Sequence, residues 1–201
     1  MGTAHGRNAG RPAGNAVAGA APAGVPVAVP VAMPVPAPVG RPSVLGVEVL
    51  PLDQFYRECL RDVRSATRVD VASYIFDHPA LTDVMERRFW GSTPFAASIS
   101  VDKESFEGRS YVHQRPRLRR LYEAGGEDCT IHLCRGTPPH GSMHVKALIV
   151  DRRRLYMGSA NFTYKSDFNV ELALRVTGPP VNEVLGFLNE VHRQGIVWDG
   201  D

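Results

Sequence analysis

The chain has 201 residues, of which 43% are hydrophobic, and a formal net charge of +2 at pH 7. This length allows one sizeable domain plus a tail, and no apolar run approaches the roughly 20 residues that would cross a bilayer, so we expect no transmembrane segment. Residues 1–47 contain three arginines and no acid, which leaves 20 basic and 21 acidic residues in the rest. Bulk charge therefore does not predict a polyanionic partner, and only local basic patches could attract one.

The sequence divides into a low-complexity tail, residues 1–43, and a folded domain, residues 44–201. Prolines at positions 22, 26, 30, 34, 36, 38 and 42 exclude a helix there, because proline lacks a backbone donor and fixes φ. We expect polyproline II or disorder in this tail. Its first twenty residues, which hold two arginines and no acid, faintly resemble an organelle transit peptide. The predicted location is cytoplasmic, with mitochondria as the alternative.

Helical and strand patterns alternate through the rest of the chain. They predict, in order, a helix over 53–67, a strand over 69–76, a helix over 81–90, a strand over 95–101, a helix over 115–124, a strand over 129–134, a hairpin of 143–150 and 155–159, a strand over 169–176 and a helix over 181–194. This order is typical of an α/β domain, a mixed β-sheet covered by helices on both faces. Ligands usually bind at strand ends in such folds.

The three cysteines, Cys59, Cys129 and Cys134, are an odd number at spacings that match no common disulfide framework, so we interpret them as reduced thiols. His132 and His140 lie near two of them, but the spacing fits no standard tetrahedral metal site. The sequence therefore implies neither a metal nor another cofactor.

The hairpin carries polar residues within an apolar strand, "MHVKALIV". Because strand side chains alternate, His144 and Lys146 point to the same face, and burying either without a partner would be unfavourable. Gly158 permits a close turn that would bring Ser159 and Asn161 to the same strand end. A lysine, a serine, an asparagine and a histidine together offer a phosphate one charge, neutral donors and a nucleophile.

The pattern H-x-K-x4-D-x6-G-S-x-N, His144 to Asn161, resembles the motif of the phospholipase D superfamily. The resemblance covers about residues 50–197 and excludes the tail. Glu171, which follows Asn169 in "NVELAL", matches the downstream acid that family members often use to orient the histidine. Two roles stay open for Asp151, because it could anchor the hairpin or contact the substrate.

Larger members of the superfamily have two such motifs, whereas this sequence has one. The chain resembles the short single-motif branch, which includes bacterial-type endonucleases and mitochondrial cardiolipin hydrolases and which works as homodimers. The resemblance implies that His144 of one subunit attacks phosphorus to form a phosphohistidine, while His144 of the other subunit protonates the leaving oxygen. Lys146, Ser159 and Asn161 would hold the phosphoryl oxygens in place of a metal, and Glu171 would orient the nucleophile.

The first substrate hypothesis is a nucleic acid backbone, bound along a basic groove that would comprise Arg115, Arg117, Arg119, Arg120, Arg152, Arg153 and Arg154. A solvated turn is the alternative interpretation of the last three arginines. The second hypothesis is a phospholipid such as cardiolipin, and the third is a non-catalytic phosphate-binding module, against which the intact motif argues. His113, His140 and residues 76–79 could line the cleft, and Tyr111, Tyr122 and Tyr164 could stack on bases or pack in the core.

Overall fold

The computed structural model describes residues 45–108, 111–136 and 141–201. The predicted tail, residues 1–43, and His140 lie outside the described residues. The strands in the described parts are β1 (Gly46–Val49), β2 (Arg68–Ser73), β3 (Ala96–Asp102), β4 (Cys129–Cys134), β5 (Lys146–Val150), β6 (Arg154–Gly158), β7 (Ala173–Thr177) and β8 (Ile196–Val197). The α-helices are α1 (Leu52–Ser65), α2 (Pro79–Phe89), α3 (Lys103–Glu107), α4 (Gln114–Gly125) and α5 (Pro180–Gln194).

The described strands form one mixed sheet in the order β1-β7-β6-β5-β2-β3-β4-β8. Strands β2, β3 and β4 run parallel, and the remaining pairs are antiparallel. As a result, β2 and β6 end at the same side of the sheet at which β5 and β7 begin. The connection after β2, the connection before β5 and the connection from β6 to β7 therefore meet there, and we call this side the catalytic edge.

Helices cover both faces of the sheet, as the sequence predicted. The core on one face includes residues of α1, α2 and α4, and the core on the other face includes residues of α5. Strand β5 divides its side chains between the two cores, since Leu148 and Val150 join the first while Ala147 and Ile149 join the second. The alternation predicted for this strand is confirmed from Lys146 onward.

Two predicted strands are shorter than expected because their ends turn into the catalytic edge. The strand predicted over 69–76 ends at Ser73, and the one predicted over 169–176 begins at Ala173. Strands β1 and β8 and the short helix α3 were not predicted. Among the described residues, no helix is long and apolar enough to cross a membrane.

A buried polar network ties helix α1 to strand β6. The hydroxyl of Tyr156 donates to the carboxylate of Asp62 at 2.5 Å, and the guanidinium of Arg154 lies 3.0 Å from the same carboxylate. Burial and the neighbouring Asp62 raise the pKa of Tyr156, so its hydroxyl remains a donor.

A histidine pair lies under helix α5. The rings of His132 and His192 stack with centroids 5.0 Å apart, and the Ser98 hydroxyl lies 2.9 Å from Nδ1 of His192. Burial and, to a smaller extent, the neighbouring His192 together lower the pKa of His132 to about 4. The three cysteines are free and buried, and burial raises the pKa of Cys129 to about 12.

Candidate active site

His144 and Lys146 lie together at the start of β5. Nζ of Lys146 lies 3.0 Å from Nδ1 of His144 and donates to the His144 carbonyl at 3.0 Å. His144 is exposed, whereas Lys146 is only 8% exposed. Burial lowers the pKa of Lys146, and the nearby carboxylate of Glu171 opposes that shift. The structure thus places an accessible imidazole against a partly desolvated ammonium group.

An aromatic side chain that the sequence analysis did not single out borders this pair. The ring of Tyr74 lies 5.0 Å from that of His144, centroid to centroid, and Nζ of Lys146 lies 5.7 Å from the centre of the Tyr74 ring. Tyr74 directly follows β2, and its backbone N–H donates to the Val145 carbonyl at 3.0 Å. The strand was predicted to run to residue 76, so the sequence placed Tyr74 within it and not at its end.

Ser159, Asn169 and Glu171 form a second cluster at the same edge. The Ser159 hydroxyl donates to one carboxylate oxygen of Glu171, and the Asn169 amide donates to the other at 3.1 Å. Among the described residues no hydrogen bond joins Glu171 to His144, so the orienting role implied by the resemblance is not visible in this conformation.

Gly158 allows the approach that creates this cluster. A Cβ atom at this position would clash with the Leu172 carbonyl oxygen. The Ser159 N–H donates to that carbonyl at 2.9 Å, and the Leu172 N–H donates back to the Ser159 hydroxyl at 3.0 Å. The absence of a side chain at Gly158 therefore sets the separation between the two ends of the β6–β7 connection, which carry Ser159 and Glu171.

Asn161 connects these residues to a neighbouring cleft. The Tyr56 hydroxyl donates to the backbone carbonyl of Asn161 at 2.7 Å. The side-chain oxygen of Asn161 is buried without a hydrogen-bond partner among the described residues. The cleft has a volume of about 610 Å³. Its lining residues are Ile75, Asp77, Pro79, Tyr111, Val112, His113, Arg117, Asn161, Thr163, Tyr164, Lys165, Ser166 and Asn169.

Asp151 lies at the opposite end of β5 from Lys146, about 17 Å away at the rise of an extended strand. One oxygen of its carboxylate accepts from the Thr67 N–H at 2.8 Å, the Thr67 hydroxyl at 2.9 Å and the Arg68 N–H at 2.9 Å. Asp151 and Arg152 have positive φ, 49° and 56°, as the tight hairpin turn requires. The structure does not bring Asp151 to the catalytic edge.

The arginines suggested for a groove do not form one surface. Arg152, Arg153 and Arg154 belong to the distant hairpin turn, and Arg120 pairs with Glu86 and Asp83 on α2. Arg115 lies over the ring of Phe106. Of that set, only Arg117 lines the cleft, together with His113 and Lys165. Tyr111 and Tyr164 also line it, whereas Tyr122 packs against Trp198.

Comparison with known proteins identifies the family. A family model described as "Cardiolipin synthase, PLD-like domain" matches residues 61–186, which include the whole H-x-K motif and Glu171. The chain belongs to this family of phospholipase D-like domains. None of the curated protein sequences compared with the chain matches it.

Solved structures agree with this assignment. Nuc, a phospholipase D family member from Salmonella typhimurium, has a TM-score of 0.63 at 19% identity, covering 77% of this chain and 98% of its own. NucT from Helicobacter pylori has a TM-score of 0.58 at 19% identity, with the same coverage of both chains. Phosphatidylserine synthase from Haemophilus influenzae Rd KW20 has a TM-score of 0.61 at 16% identity, covering 80% of this chain and 41% of its own. At these identities the likeness establishes the fold.

Proposed function

We propose that this protein is a metal-independent phosphodiesterase that cleaves a nucleic acid backbone through a phosphohistidine on His144, in a composite site formed by two copies of the chain. The observation that carries the proposal is the pairing of an accessible His144 with Lys146 at 3.0 Å, at an edge that also holds Ser159, Asn161 and Glu171. The cationic cleft next to this edge supports the choice of a polyanionic substrate.

In the first step a ring nitrogen of His144 attacks phosphorus, a P–N bond forms and the P–O bond to the leaving group breaks. The leaving oxygen takes a proton from the imidazolium of His144 of the second copy. Water then attacks the phosphohistidine and gives its proton to that second imidazole, which restores both residues. Each cycle therefore requires one neutral and one charged imidazole and returns both to their starting states.

The lysine contact bears on which nitrogen attacks. An ammonium group can only donate, so Nδ1 of His144 accepts from Lys146 in the free protein and the proton of the neutral ring lies on Nε2. Attack through Nε2 requires that proton to move to Nδ1. We propose that the bound phosphate draws the ammonium towards its oxygens and that Glu171 then accepts from Nδ1–H. Lys146 would thus keep the free enzyme in the unreactive tautomer.

Residues at the same edge would stabilise the negative charge on the non-bridging phosphoryl oxygens. Lys146 supplies a cation, and the Asn161 amide and the Ser159 hydroxyl supply neutral donors. The amide nitrogen of Asn161 is the group that can donate to a phosphoryl oxygen, because its side-chain oxygen can only accept.

A phospholipid is the second candidate substrate, and exposed apolar side chains favour it. Phe168, Val170 and Leu172 are 73%, 104% and 54% exposed, and they flank Asn169 and Glu171. Such a rim could contact acyl chains or a bilayer surface. The description of the matching family and the phosphatidylserine synthase from Haemophilus influenzae Rd KW20 point the same way. The cations that line the cleft, Arg117 and Lys165, favour the nucleic acid because they can bind backbone phosphates.

Turnover in excess EDTA tests the proposal. A labelled single-stranded oligonucleotide and cardiolipin vesicles are supplied in parallel to the full chain and to His144→Ala, with thermal unfolding as a check of the fold. We expect cleavage of the oligonucleotide by the wild type and none by the variant. Comparable turnover by a folded His144→Ala protein would refute the mechanism. Release of phosphatidic acid without cleavage of the oligonucleotide would show that the substrate is the phospholipid.

The composite site has its own test. Wild-type and His144→Ala chains carrying different tags are co-expressed, and the homodimers and the mixed dimer are separated. If each turnover needs both histidines, the mixed dimer is inactive. A mixed dimer with half the activity of the wild type would show that each subunit works alone.

A further inference from the structure

The cleft next to the catalytic edge contains an acid that the proposed mechanism does not use. Asp77 lies on the connection from β2 to α2, and its backbone N–H donates to the Phe162 carbonyl at 3.0 Å. The Asp77 carboxylate has no hydrogen bond or ion pair among the described residues, although it is half-buried. Burial raises the pKa of Asp77, while the neighbouring Arg117 and His113 oppose that change.

The cleft combines three kinds of group around this carboxylate. Tyr111 and Tyr164 provide aromatic surfaces, and Arg117 and Lys165 provide cations. Within the parts of the chain that are described, neither cation lies within 4.0 Å of a carboxylate oxygen. Aromatic rings stack on bases, and cations bind phosphates, so the set suits a nucleotide rather than a bare phosphate. A volume of about 610 Å³ accommodates one nucleotide with room to spare.

The cleft is close enough to serve the reacting phosphate. The ring of Tyr111 lies 6.1 Å from that of Tyr74, which in turn lies 5.0 Å from that of His144. Asn161, a residue of the catalytic motif, lines the cleft as well. A nucleotide in the cleft would therefore be adjacent to the phosphate being cleaved.

We propose that this cleft is a nucleobase subsite in which the carboxylate of Asp77 selects guanine. The inference rests on the proposed function, since it names the base next to the scissile phosphate. Guanine presents two adjacent donors, N1–H and N2–H, which match the two oxygens of one carboxylate. Adenine and cytosine each place an acceptor beside their amino group, and uracil flanks its N3–H with two acceptors, so each would turn a lone pair towards Asp77.

A cationic head group is the competing ligand for an acid among aromatic rings. Arg117 and Lys165 disfavour a quaternary ammonium group because both would repel it. The same two residues favour the phosphates on either side of a bound nucleoside. The charges of the cleft therefore favour guanine over choline.

Binding of mononucleotides tests the subsite without turnover. The full chain is titrated by calorimetry with 5′-GMP, 5′-AMP, 5′-CMP, 5′-UMP and phosphocholine. Because guanine can donate two hydrogen bonds to the Asp77 carboxylate, we expect GMP to bind at least about tenfold more tightly than the other nucleotides. Asp77→Asn should bring GMP to within about threefold of AMP, because the amide replaces one acceptor by a donor. Asp199→Asn, which removes the same charge at an exposed position, should keep the preference.

Three results would each refute the guanine subsite. They are equal binding of the four nucleotides, a preference for GMP that survives in Asp77→Asn, and binding of phosphocholine that is tighter than that of GMP. Cleavage of thymidine oligonucleotides with a single guanine at varied positions separates the two proposals. Cleavage without base preference, with equal binding of all four nucleotides, leaves the proposed function and removes the subsite. Selective binding of GMP without cleavage of any oligonucleotide would support the subsite and refute the proposed nuclease function.

Discussion

The motif aspartate, Asp151, should be required for stability and not for chemistry. One oxygen of its carboxylate accepts three hydrogen bonds from Thr67 and Arg68, and its backbone has φ 49°, at the far end of β5 from Lys146. Asp151→Ala removes the acceptor and places alanine in the left-handed region. Asp151→Asn keeps an acceptor oxygen and a residue that tolerates this conformation.

The size of the effect follows from these contacts. Loss of the acceptor leaves two backbone N–H groups that water can partly reach, a loss of about 1 to 1.5 kcal/mol, and alanine at positive φ adds about 1 kcal/mol. The free energy of unfolding of Asp151→Ala should fall by about 2 to 2.5 kcal/mol. For a domain of this size that lowers Tm by roughly 4 to 10 °C. Asp151→Asn should lose less than about 1 kcal/mol.

Thermal unfolding and turnover at 20 °C, measured on the same preparations, check this prediction. Asp151→Ala should keep kcat within about threefold of the wild type, because a folded hairpin still presents Lys146 correctly. A folded Asp151→Ala protein with unchanged Tm and a kcat reduced more than about 100-fold would refute the structural role.

Three further outcomes are expected. Glu171→Gln should lower kcat about tenfold or more with Tm almost unchanged, since the amide is a poorer acceptor for Nδ1–H of His144; equal kcat would contradict the orienting role. Tyr156→Phe should lower the free energy of unfolding by about 1 to 3 kcal/mol in urea at pH 7, because Asp62 loses its buried donor; an unchanged urea midpoint would count against that network. His132 binds a proton near its ordinary pKa of about 6.5 when unfolded but only near pH 4 when folded, so stability should fall as pH drops through that window. The fall should be smaller in His132→Gln, and an identical pH profile would show that this residue is not responsible.

The sequence predicted the hairpin and most of the layers because their signals are local. Alternation within β5 and the β6 pattern after a turn need no distant partner. Strand β1 was missed because its pairing depends on β7, about 130 residues away in the chain, and β8 has only two residues. Such elements form through contacts that no short window contains.

The candidate site was predicted in the same uneven way. His144, Lys146, Ser159 and Asn161 lie within one short motif, so their convergence could be inferred. Arg117 was predicted as part of a basic groove and residues 76–79, which include Asp77, as part of the cleft wall, and both line the cleft. Tyr74 was not predicted, because it reaches the site only through the folding of β2 against it. The distance between Asp151 and Lys146 could have been predicted from the motif, because Asp151 follows Lys146 by five positions along an extended strand.

Gly158 offers a way to inactivate the protein without removing a functional group. Because a methyl group there would clash with the Leu172 carbonyl, Gly158→Ala should push apart the two ends of the β6–β7 connection, which carry Ser159 and Glu171. Every charge, donor and aromatic ring that could bind substrate would still be present. Such a variant would suit the capture of uncleaved substrates from cells, where a histidine or lysine substitution would also remove part of the binding surface.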